Sequence, residues 1–328
     1  MNDDYIARGL FKNGHFNTLF SHFFDQVKSL PFVREALPHP LGFDLYLDWV
    51  KAGNERLVIF THGLESNSHA RYIQTMGNHL LATGHDIVAW NLRNCANGEP
   101  CQQNAHYHSG ISEDLELVIE HILKTHHYRQ IVLIGFSMGG NITLKYLGEK
   151  GPDLPTEITK AIAISTPLDL LSCSYTLLTF PNIFYGRHFL STILHKVREQ
   201  RSSIEALGLD VDKLLTARNL REFDNWFTAP VHGFHSEDHY YTSCSSKPLL
   251  KNIRIPALLI SAYDDPILSS ECYPTTAEIN NPLITTLYTQ HGGHVGFYTA
   301  RKTEPWLEDK LDKFLLKKTE QEKTMSEH

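Results

Sequence analysis

The sequence predicts an α/β fold with a mostly parallel central sheet, helices on both faces of the sheet and a helical cap insertion. Short runs of branched apolar residues, such as Leu57–Thr61 and Ile131–Gly135, alternate with helix-like segments. Such runs are typical of strands buried on both faces, and their alternation with helices indicates a parallel sheet. The alternation stops after residue 166 and resumes at Ile255, with helical patterns in between. The sequence therefore predicts one core that is interrupted by a cap.

At the N-terminal end, residues 15–30 have the spacing of a helix with one apolar face. That face consists of Phe16, Leu19, Phe20, Phe23, Phe24 and Val27. It either packs on the main domain or belongs to a membrane-surface or acyl-binding helix. The opposite face (Asn17, Thr18, Ser21, Asp25 and Gln26) lacks the Lys and Arg that interfacial helices usually carry. We therefore expect residues 1–31 to form a helical segment that packs on the core.

The first part of the core is predicted at residues 32–166. Its strands are expected at Phe32–Ala36, Phe43–Trp49, Leu57–Thr61, Asp86–Leu92, Ile131–Gly135 and Ala161–Ser165. Helices are expected at Arg71–Thr83, in the segment that Ser112 would cap, and from the end of the fifth strand through Leu147.

The cap is predicted at residues 167–254. Its helical patterns lie around Leu190–Val197, Leu220–Phe227 and Glu237–Tyr241. The second part of the core, residues 255–316, is expected to contain the strands Ile255–Ser261 and Leu283–Thr289 and a last helix at Glu304–Leu316. Residues 317–328 are predicted to be a charged tail.

Composition excludes several classes of function. The net charge is −7 and there is no block of basic residues, so nucleic-acid binding is not expected. The five cysteines are scattered and form no CxxC pair, which favours a reducing compartment. Neither a signal peptide nor an apolar run of the ~20 residues needed for a transmembrane segment is apparent. We expect a cytoplasmic protein for which transient membrane-surface contact stays possible; the oligomeric state is left open.

The motif Gly135-Phe136-Ser137-Met138-Gly139 stands between a predicted strand and a predicted helix. Strand, Gly-x-Ser-x-Gly and helix form a nucleophile elbow, which lifts the Ser137 hydroxyl above the sheet. The Met138 N–H and the helix N-terminus then face the same point. Leu64, which follows the strand end at His62-Gly63, is the second expected oxyanion donor. The alternative interpretation of the Ser137 motif is a tight turn with an incidental serine. The alternative for Leu64 is an ordinary turn at the end of a strand.

A serine nucleophile needs a histidine base and a carboxylate that orients it. In elbow folds the chain order is serine, acid, histidine. Asp264-Asp265-Pro266 follows the strand after the cap, and we favour Asp265 because the following proline extends its backbone. Asp264 is the alternative acid. In the next loop, His294 follows two glycines and is the expected base, whereas His291 is nearer the strand end and is expected to be structural.

No metal site and no cofactor are expected. The chain has 20 histidines, so a histidine by itself indicates little. The groups His106/His108, His126/His127 and His232/His235/His239 match no HExxH-type spacing.

Several of these stretches resemble one family of proteins. They are His62-Gly63-Leu64-Glu65-Ser66, Gly135-Phe136-Ser137-Met138-Gly139-Gly140-Asn141, Asp264-Asp265-Pro266, His291-Gly292-Gly293-His294-Val295-Gly296-Phe297, His106-Tyr107-His108-Ser109-Gly110, Arg221-Glu222-Phe223-Asp224, His232-Gly233-Phe234 and Asn13-Gly14-His15-Phe16-Asn17-Thr18-Leu19. Together they are similar to the YheT/EMB8-type α/β-hydrolases over nearly the whole chain. The resemblance implies the α/β-hydrolase fold, a Ser137–Asp265–His294 triad and carboxylesterase-like activity. One departure is Asn94, where that family usually has glycine; asparagine can still adopt a left-handed turn.

These observations predict a serine hydrolase that cleaves carboxylic esters with short to medium acyl chains through an acyl-enzyme on Ser137. Alternatives that use the same residues are an alcohol acyltransferase and a phospholipid-cleaving lipase; a non-catalytic binding protein is a further one. The partner is expected to be a small-molecule ester or lipid substrate. The cap is rich in aromatic residues, from which we expect an enclosed apolar acyl site. They are Phe180, Phe184, Tyr185, Phe189, Trp226, Phe227, Tyr240 and Tyr241.

Overall fold

A computed structural model describes residues 5–23, 27–299 and 305–317 of the chain. Three of the sequence predictions therefore fall wholly or partly outside the described residues. They concern the charged tail beyond Lys317, the residues Phe24, Asp25 and Gln26 of the N-terminal helix, and Glu304 as the start of the last helix.

The described residues form one eight-stranded sheet with the order β1-β2-β4-β3-β5-β6-β7-β8. Its strands are Val33–Pro38 (β1), Asp44–Val50 (β2), Arg56–Thr61 (β3), Asp86–Asn91 (β4), Gln130–Phe136 (β5), Ile158–Ile164 (β6), Ala257–Ala262 (β7) and Ile284–Thr289 (β8). Strand β2 is antiparallel to both of its neighbours, and β3 to β8 are parallel. The predicted α/β class and mostly parallel sheet are therefore confirmed.

Side chains alternate between two apolar layers, one on each face of the sheet. Leu57 and Ile59 lie in one layer, and Val58 and Phe60 lie in the other. This alternation follows from the two-residue period of a strand, and it explains why the central strands read as continuous apolar runs.

Helices cover both layers. Outside the cap they are Gly14–Phe23 (α1), Arg71–Ala82 (α2), Ser112–Thr125 (α3) and Met138–Lys150 (α4), followed by Thr276–Ile279 (α12) and Trp306–Leu315 (α13). The prediction that Ser112 caps α3 was wrong. Ser112 is the first helical residue, its hydroxyl accepts no capping bond from a helix N–H, and it donates to Glu149 of α4.

Between β6 and β7 the chain forms a run of helices. They are Leu170–Thr176 (α5), Ile183–Glu199 (α6), Arg201–Ala206 (α7), Val211–Leu214 (α8), Leu220–Phe223 (α9), Ala229–Val231 (α10) and Glu237–Cys244 (α11), with a π-helical turn at Asp224–Thr228. Short 3-10 helices lie at Gly9–Lys12, Gly151–Asp153, Lys247–Asn252 and Ser270–Cys272. Helices α6 to α9 share an apolar cluster of their own, which includes Leu190, Leu214 and Phe223. The boundaries at 166/167 and 254/255 stay predictions.

Helix α1 differs from the sequence prediction in length, and its small and polar face packs together with part of the predicted apolar face. The structure describes it at Gly14–Phe23, residues 27–30 are not helical, and its most deeply buried described positions are Gly14 and Asn17. Asn17 is 0% exposed, whereas Leu19 of the apolar face is 45% exposed. On the small and polar face, Asn17 accepts the Tyr298 N–H of the loop after β8 and Gly14 permits close approach. On the apolar face, Phe20 packs against the Tyr298 ring, with centroids 5.3 Å apart.

Candidate active site

Ser137 lies at a sharp turn between β5 and α4. Its φ of 52° is in the left-handed region, and its backbone N–H donates to the Ile164 carbonyl at 2.8 Å. A Cβ atom at Gly135 would lie 2.4 Å from the Gly139 carbonyl, and one at Gly139 would lie 2.2 Å from the Thr61 carbonyl. Both glycines are therefore required by close backbone approach, and the turn presents the Ser137 side chain to the pocket beneath the cap helices.

His294 brings Ser137 and Asp265 together. Its Nε2 lies 2.8 Å from Ser137 Oγ, and its Nδ1 lies 2.7 Å from Asp265 Oδ2. A carboxylate only accepts hydrogen bonds, so Nδ1 carries the proton and the neutral ring offers Nε2 as an acceptor for the Ser137 hydroxyl. Asp265 Oδ1 accepts the Ile267 N–H at 2.8 Å, and the Asp265 side chain is fully buried. This chain of contacts links a hydroxyl, an imidazole and a fixed carboxylate.

Asp264, the alternative acid, contacts a different histidine. Its Oδ2 lies 3.2 Å from His291 Nδ1, and its Oδ1 accepts the Gly293 N–H at 2.8 Å. Burial raises the pKa of Asp264, while the Gly293 N–H and His291 act in the opposite direction. The structure thus places Asp264 and His291 beside the constellation, where they tie the loops after β7 and β8 together.

Leu64 and Met138, the two expected oxyanion donors, line the same pocket as Ser137. Met138 is the first residue of α4, where a backbone N–H has no helical acceptor. The N–H groups on either side of Leu64 are engaged, since Gly63 donates to Tyr72 and Glu65 donates to Tyr107. The pocket therefore contains the predicted hydroxyl together with both predicted donor residues.

The pocket lies between the core and the cap helices and has an empty volume of about 1130 Å³, open solvent at its mouth included. Its apolar wall comes largely from the cap, with Leu170, Phe189, Ile193, Val197, Leu220, Phe223 and Phe227 among its residues. Of the aromatic residues singled out from the sequence, four line the pocket: Phe189, Phe227, Tyr240 and Tyr241. The other four do not: Tyr185, Trp226 and the exposed residues Phe180 and Phe184.

The pocket also has a polar side that the sequence analysis missed. Lys196 of α6 lies 2.9 Å from Glu65, the residue after Leu64, and Tyr107 donates to the same carboxylate at 2.6 Å. The Glu65 side chain is 4% exposed. This ion pair joins the cap to the loop that carries Leu64. Lys196 and Glu65 are 131 positions apart, and nothing in α6, which also carries His195 and Arg198, marked this lysine in the sequence.

Asn94, the departure from the resembled family, adopts the left-handed turn that was expected of it. Its φ is 56°, and its side-chain amide donates to the carbonyls of Gln102 and Ala105, both at 2.9 Å. The loop after β4 therefore keeps the backbone conformation that a glycine would give.

The histidine groups considered as metal ligands do not converge. His108 and His232 are in ring contact with centroids 4.7 Å apart, but within residues 5–23, 27–299 and 305–317 no three or more His, Cys, Asp or Glu side chains are grouped to hold an ion. In the same ranges, no helix combines the length and the apolar character that crossing a membrane requires.

His62, at the end of β3 next to Gly63, is one of four histidines whose pKa is lowered most strongly by burial. Its Nε2 accepts the Leu92 N–H at 3.0 Å, so its proton is on Nδ1, which contacts the Gly63 carbonyl. Burial lowers the pKa values of His62, His85 and His106 to about 4 and that of His232 to about 3.

These four histidines predict a loss of stability in mild acid. The unfolded chain protonates them near pH 6.5 but the folded chain does not, so the free energy of unfolding falls as the pH decreases from about 6.5 towards 4. Each fully buried histidine contributes a slope of about 1 kcal/mol per pH unit in that range. We expect the thermal midpoint to drop steeply between pH 7 and pH 5. His195, whose side chain is 69% exposed, is the control, since His195→Gln should leave the pH dependence unchanged. A flat midpoint over this range would contradict the prediction.

Comparison with known proteins places the chain in a family. A family model described as alpha/beta hydrolase fold matches residues 56–300. The chain is 30% identical to the putative esterase YheT of Escherichia coli, with 95% of this chain and 93% of that protein covered. It is 29% identical to the human phospholipase ABHD3, with 87% and 71% covered. The solved esterase Pf2001 of Pyrococcus furiosus, at 17% identity and a TM-score of 0.57, covers 96% of this chain and 98% of its own and shares the fold. The chain therefore belongs to the α/β-hydrolase fold family, in the branch that contains these esterase- and phospholipase-type hydrolases.

Proposed function

We propose that the chain is a serine hydrolase that cleaves carboxylic esters of short to medium acyl chain length through an acyl-enzyme on Ser137. One observation carries the proposal. His294 is within hydrogen-bond distance of Ser137 and Asp265 at once, at 2.8 and 2.7 Å. This is the geometry that a serine nucleophile, its base and the orienting acid require.

In the first half of the reaction, Ser137 Oγ attacks the ester carbonyl carbon while His294 Nε2 takes the hydroxyl proton. The negative charge that develops on the carbonyl oxygen is stabilised by the backbone N–H groups of Leu64 and Met138. An oxyanion donor of this kind lowers the barrier by about 3 kcal/mol in a well-studied serine hydrolase. The protonated His294 then donates its Nε2 proton to the leaving alcohol, and the acyl group remains on Ser137.

In the second half, a water molecule attacks the acyl carbonyl and gives its proton to His294 Nε2. The tetrahedral intermediate collapses, the Ser137 oxygen leaves with the proton from His294, and the carboxylic acid is released. Asp265 keeps the Nδ1 proton in place and stabilises the positive charge on the ring in both halves.

The walls of the pocket support a limited acyl length. Each added CH₂ contributes about 0.8 kcal/mol only while apolar space remains to bury it, which corresponds to about fourfold in the specificity constant. We expect kcat/KM in a p-nitrophenyl ester series to increase over the first few carbons and then to decrease. A continuous increase to the longest chains, or faster cleavage of peptide amides than of esters, would contradict this substrate class.

Two other reactions use the same groups. If an alcohol replaces water in the second half, the reaction is acyl transfer. If the substrate is a phospholipid ester, which the similarity to ABHD3 favours, the reaction is that of a phospholipase. The products distinguish them. With ethanol present, an acyltransferase accumulates ethyl ester, whereas a hydrolase releases the free acid. With phosphatidylcholine, released fatty acid would identify a phospholipase.

A further inference from the structure

Helix α1 lies against the loop that carries His294. The helix precedes residue 56, where the match to the family model begins. The Thr18 hydroxyl accepts the His294 backbone N–H at 2.8 Å. It also donates to the Gly14 carbonyl at 2.7 Å, which fixes the direction of its lone pairs.

The neighbouring residue, Asn17, holds the far end of the same loop. Its Oδ1 accepts the Tyr298 N–H at 3.1 Å, and its amide nitrogen donates to the Phe11 carbonyl at 3.2 Å. Asn17 is 0% exposed although it is a polar residue. Burial of this amide is offset by the Tyr298 N–H of the loop together with the Phe11 carbonyl and the Tyr5 hydroxyl, which accept from its nitrogen.

Backbone contact between α1 and the two loops leaves no room for a side chain. A Cβ atom at Gly14 would lie 1.8 Å from the Asp264 carbonyl oxygen, and one at Gly293 would lie 2.4 Å from the Gly14 carbonyl oxygen. Helix α1 therefore touches the loop after β7 and the loop after β8 where Asp264 accepts the Gly293 N–H.

The loop itself has an unusual backbone. Gly292 and Gly293 have φ values of 150° and 60°, and the non-glycine residues Val295 and Phe297 have 55° and 52°. Non-glycine residues in this region are strained and persist only where surrounding contacts hold them. Three hydrogen bonds hold this loop: Thr18 accepts the His294 N–H, Asn17 accepts the Tyr298 N–H, and the Ser165 hydroxyl accepts the Val295 N–H at 2.9 Å.

We propose that α1 is a positioning element for the histidine base, with Thr18 as the positioning residue that holds the His294 backbone. The inference rests on the proposed function, because it assigns Thr18 its role through His294. The imidazole must meet Ser137 and Asp265 simultaneously, and a displacement of about 1 Å from a productive geometry costs up to about 100-fold in rate.

The test compares Thr18→Val with Thr18→Ser. Valine keeps the shape but removes the hydroxyl, whereas serine keeps the hydroxyl. We expect Thr18→Val to lower kcat by about tenfold or more with KM unchanged and to slow fluorophosphonate labelling of Ser137 by the same factor. Thr18→Ser should restore both rates. The control is Leu19→Ser on the exposed face of α1, which should match the wild type.

A purely structural role predicts different results. In that case Thr18→Val would lower the thermal midpoint and the fraction of active protein together, and kcat per labelled Ser137 would not change. Equal loss in Thr18→Val and Thr18→Ser, or a Thr18→Val protein as active as the wild type, would overturn the inference. If Thr18→Val does not fold, Gly14→Ala provides the second test. Its methyl group displaces α1 from the Asp264 carbonyl and should lower kcat in the same way.

The test also separates this inference from the proposed function. Hydrolysis of esters by the wild type tests the proposed function, whereas the ratio of variant to wild-type kcat tests the role of α1. The downfield proton resonance of the His294 Nδ1–H, measured without substrate, gives that ratio an independent readout. Thr18→Val should broaden or shift this resonance and Thr18→Ser should not; an unchanged resonance in Thr18→Val would overturn the inference even if esters are not the substrate.

Discussion

Replacement of Ser137 by alanine should lower ester turnover by about 10⁴-fold or more and abolish labelling by a fluorophosphonate probe. The probe phosphonylates a serine only when a base takes the hydroxyl proton and donors stabilise the developing oxyanion. We expect Ser137 to meet both conditions, because its hydroxyl lies 2.8 Å from His294 and lines the same pocket as Leu64 and Met138. The measurement is the initial rate with p-nitrophenyl butyrate and the mass of the labelled peptide.

Ser191→Ala is the matched control, because Ser191 is exposed on α6 and away from the pocket that contains Ser137. It should retain wild-type turnover and labelling. Labelling and turnover that persist in Ser137→Ala would place the nucleophile elsewhere in the chain.

Most of the fold was predictable because its signals are local in the sequence. A strand buried on both faces must be apolar at consecutive positions, and a turn as tight as that around Ser137 must have glycine at positions 135 and 139. Both properties can be read without knowledge of any partner. The strand order and the antiparallel β2 could not be read in this way, since they depend on which strands pair.

The apolar face of α1 shows where local reasoning fails. Helical spacing indicates which residues share a face, but the choice of the packed face depends on the partner surface. The partner is a loop whose His294 and Tyr298 N–H groups donate to Thr18 and Asn17. The polar face therefore packs on it beside Phe20, and Leu19 remains exposed. Thr18 and His294, which contact each other here, are 276 positions apart in the chain, and neither segment alone indicates that it packs on the other.

The polar side of the pocket was missed for a related reason. Helix α6 also carries Arg187, His195 and Arg198, so nothing in the sequence distinguishes Lys196 from the other basic residues of this helix. Its partner Glu65 belongs to the core, so the ion pair exists only once the cap lies over the core. Charges that pair across a domain boundary give no local signal.

Asp265→Asn should lower turnover by about 10⁴-fold, the size of effect measured for the comparable change in another serine hydrolase. An amide can present its NH₂ group to His294 Nδ1, which favours the tautomer with its proton on Nε2, and it provides no negative charge to stabilise the protonated ring. Asp265 is well suited to this role, because Ile267 donates its N–H to Oδ1 and leaves Oδ2 for His294.

Asp264→Asn is the internal control for this prediction. Asp264 is next to Asp265 in the chain and contacts His291 and Gly293 but not His294, so its loss should weaken the loop contact and leave turnover within about tenfold of the wild type. Both variants are measured with the same ester under saturating conditions, with the thermal midpoint recorded for each. If Asp264→Asn is the variant that loses four orders of magnitude, the acid is one residue earlier than proposed, and His291 becomes the candidate base that it orients.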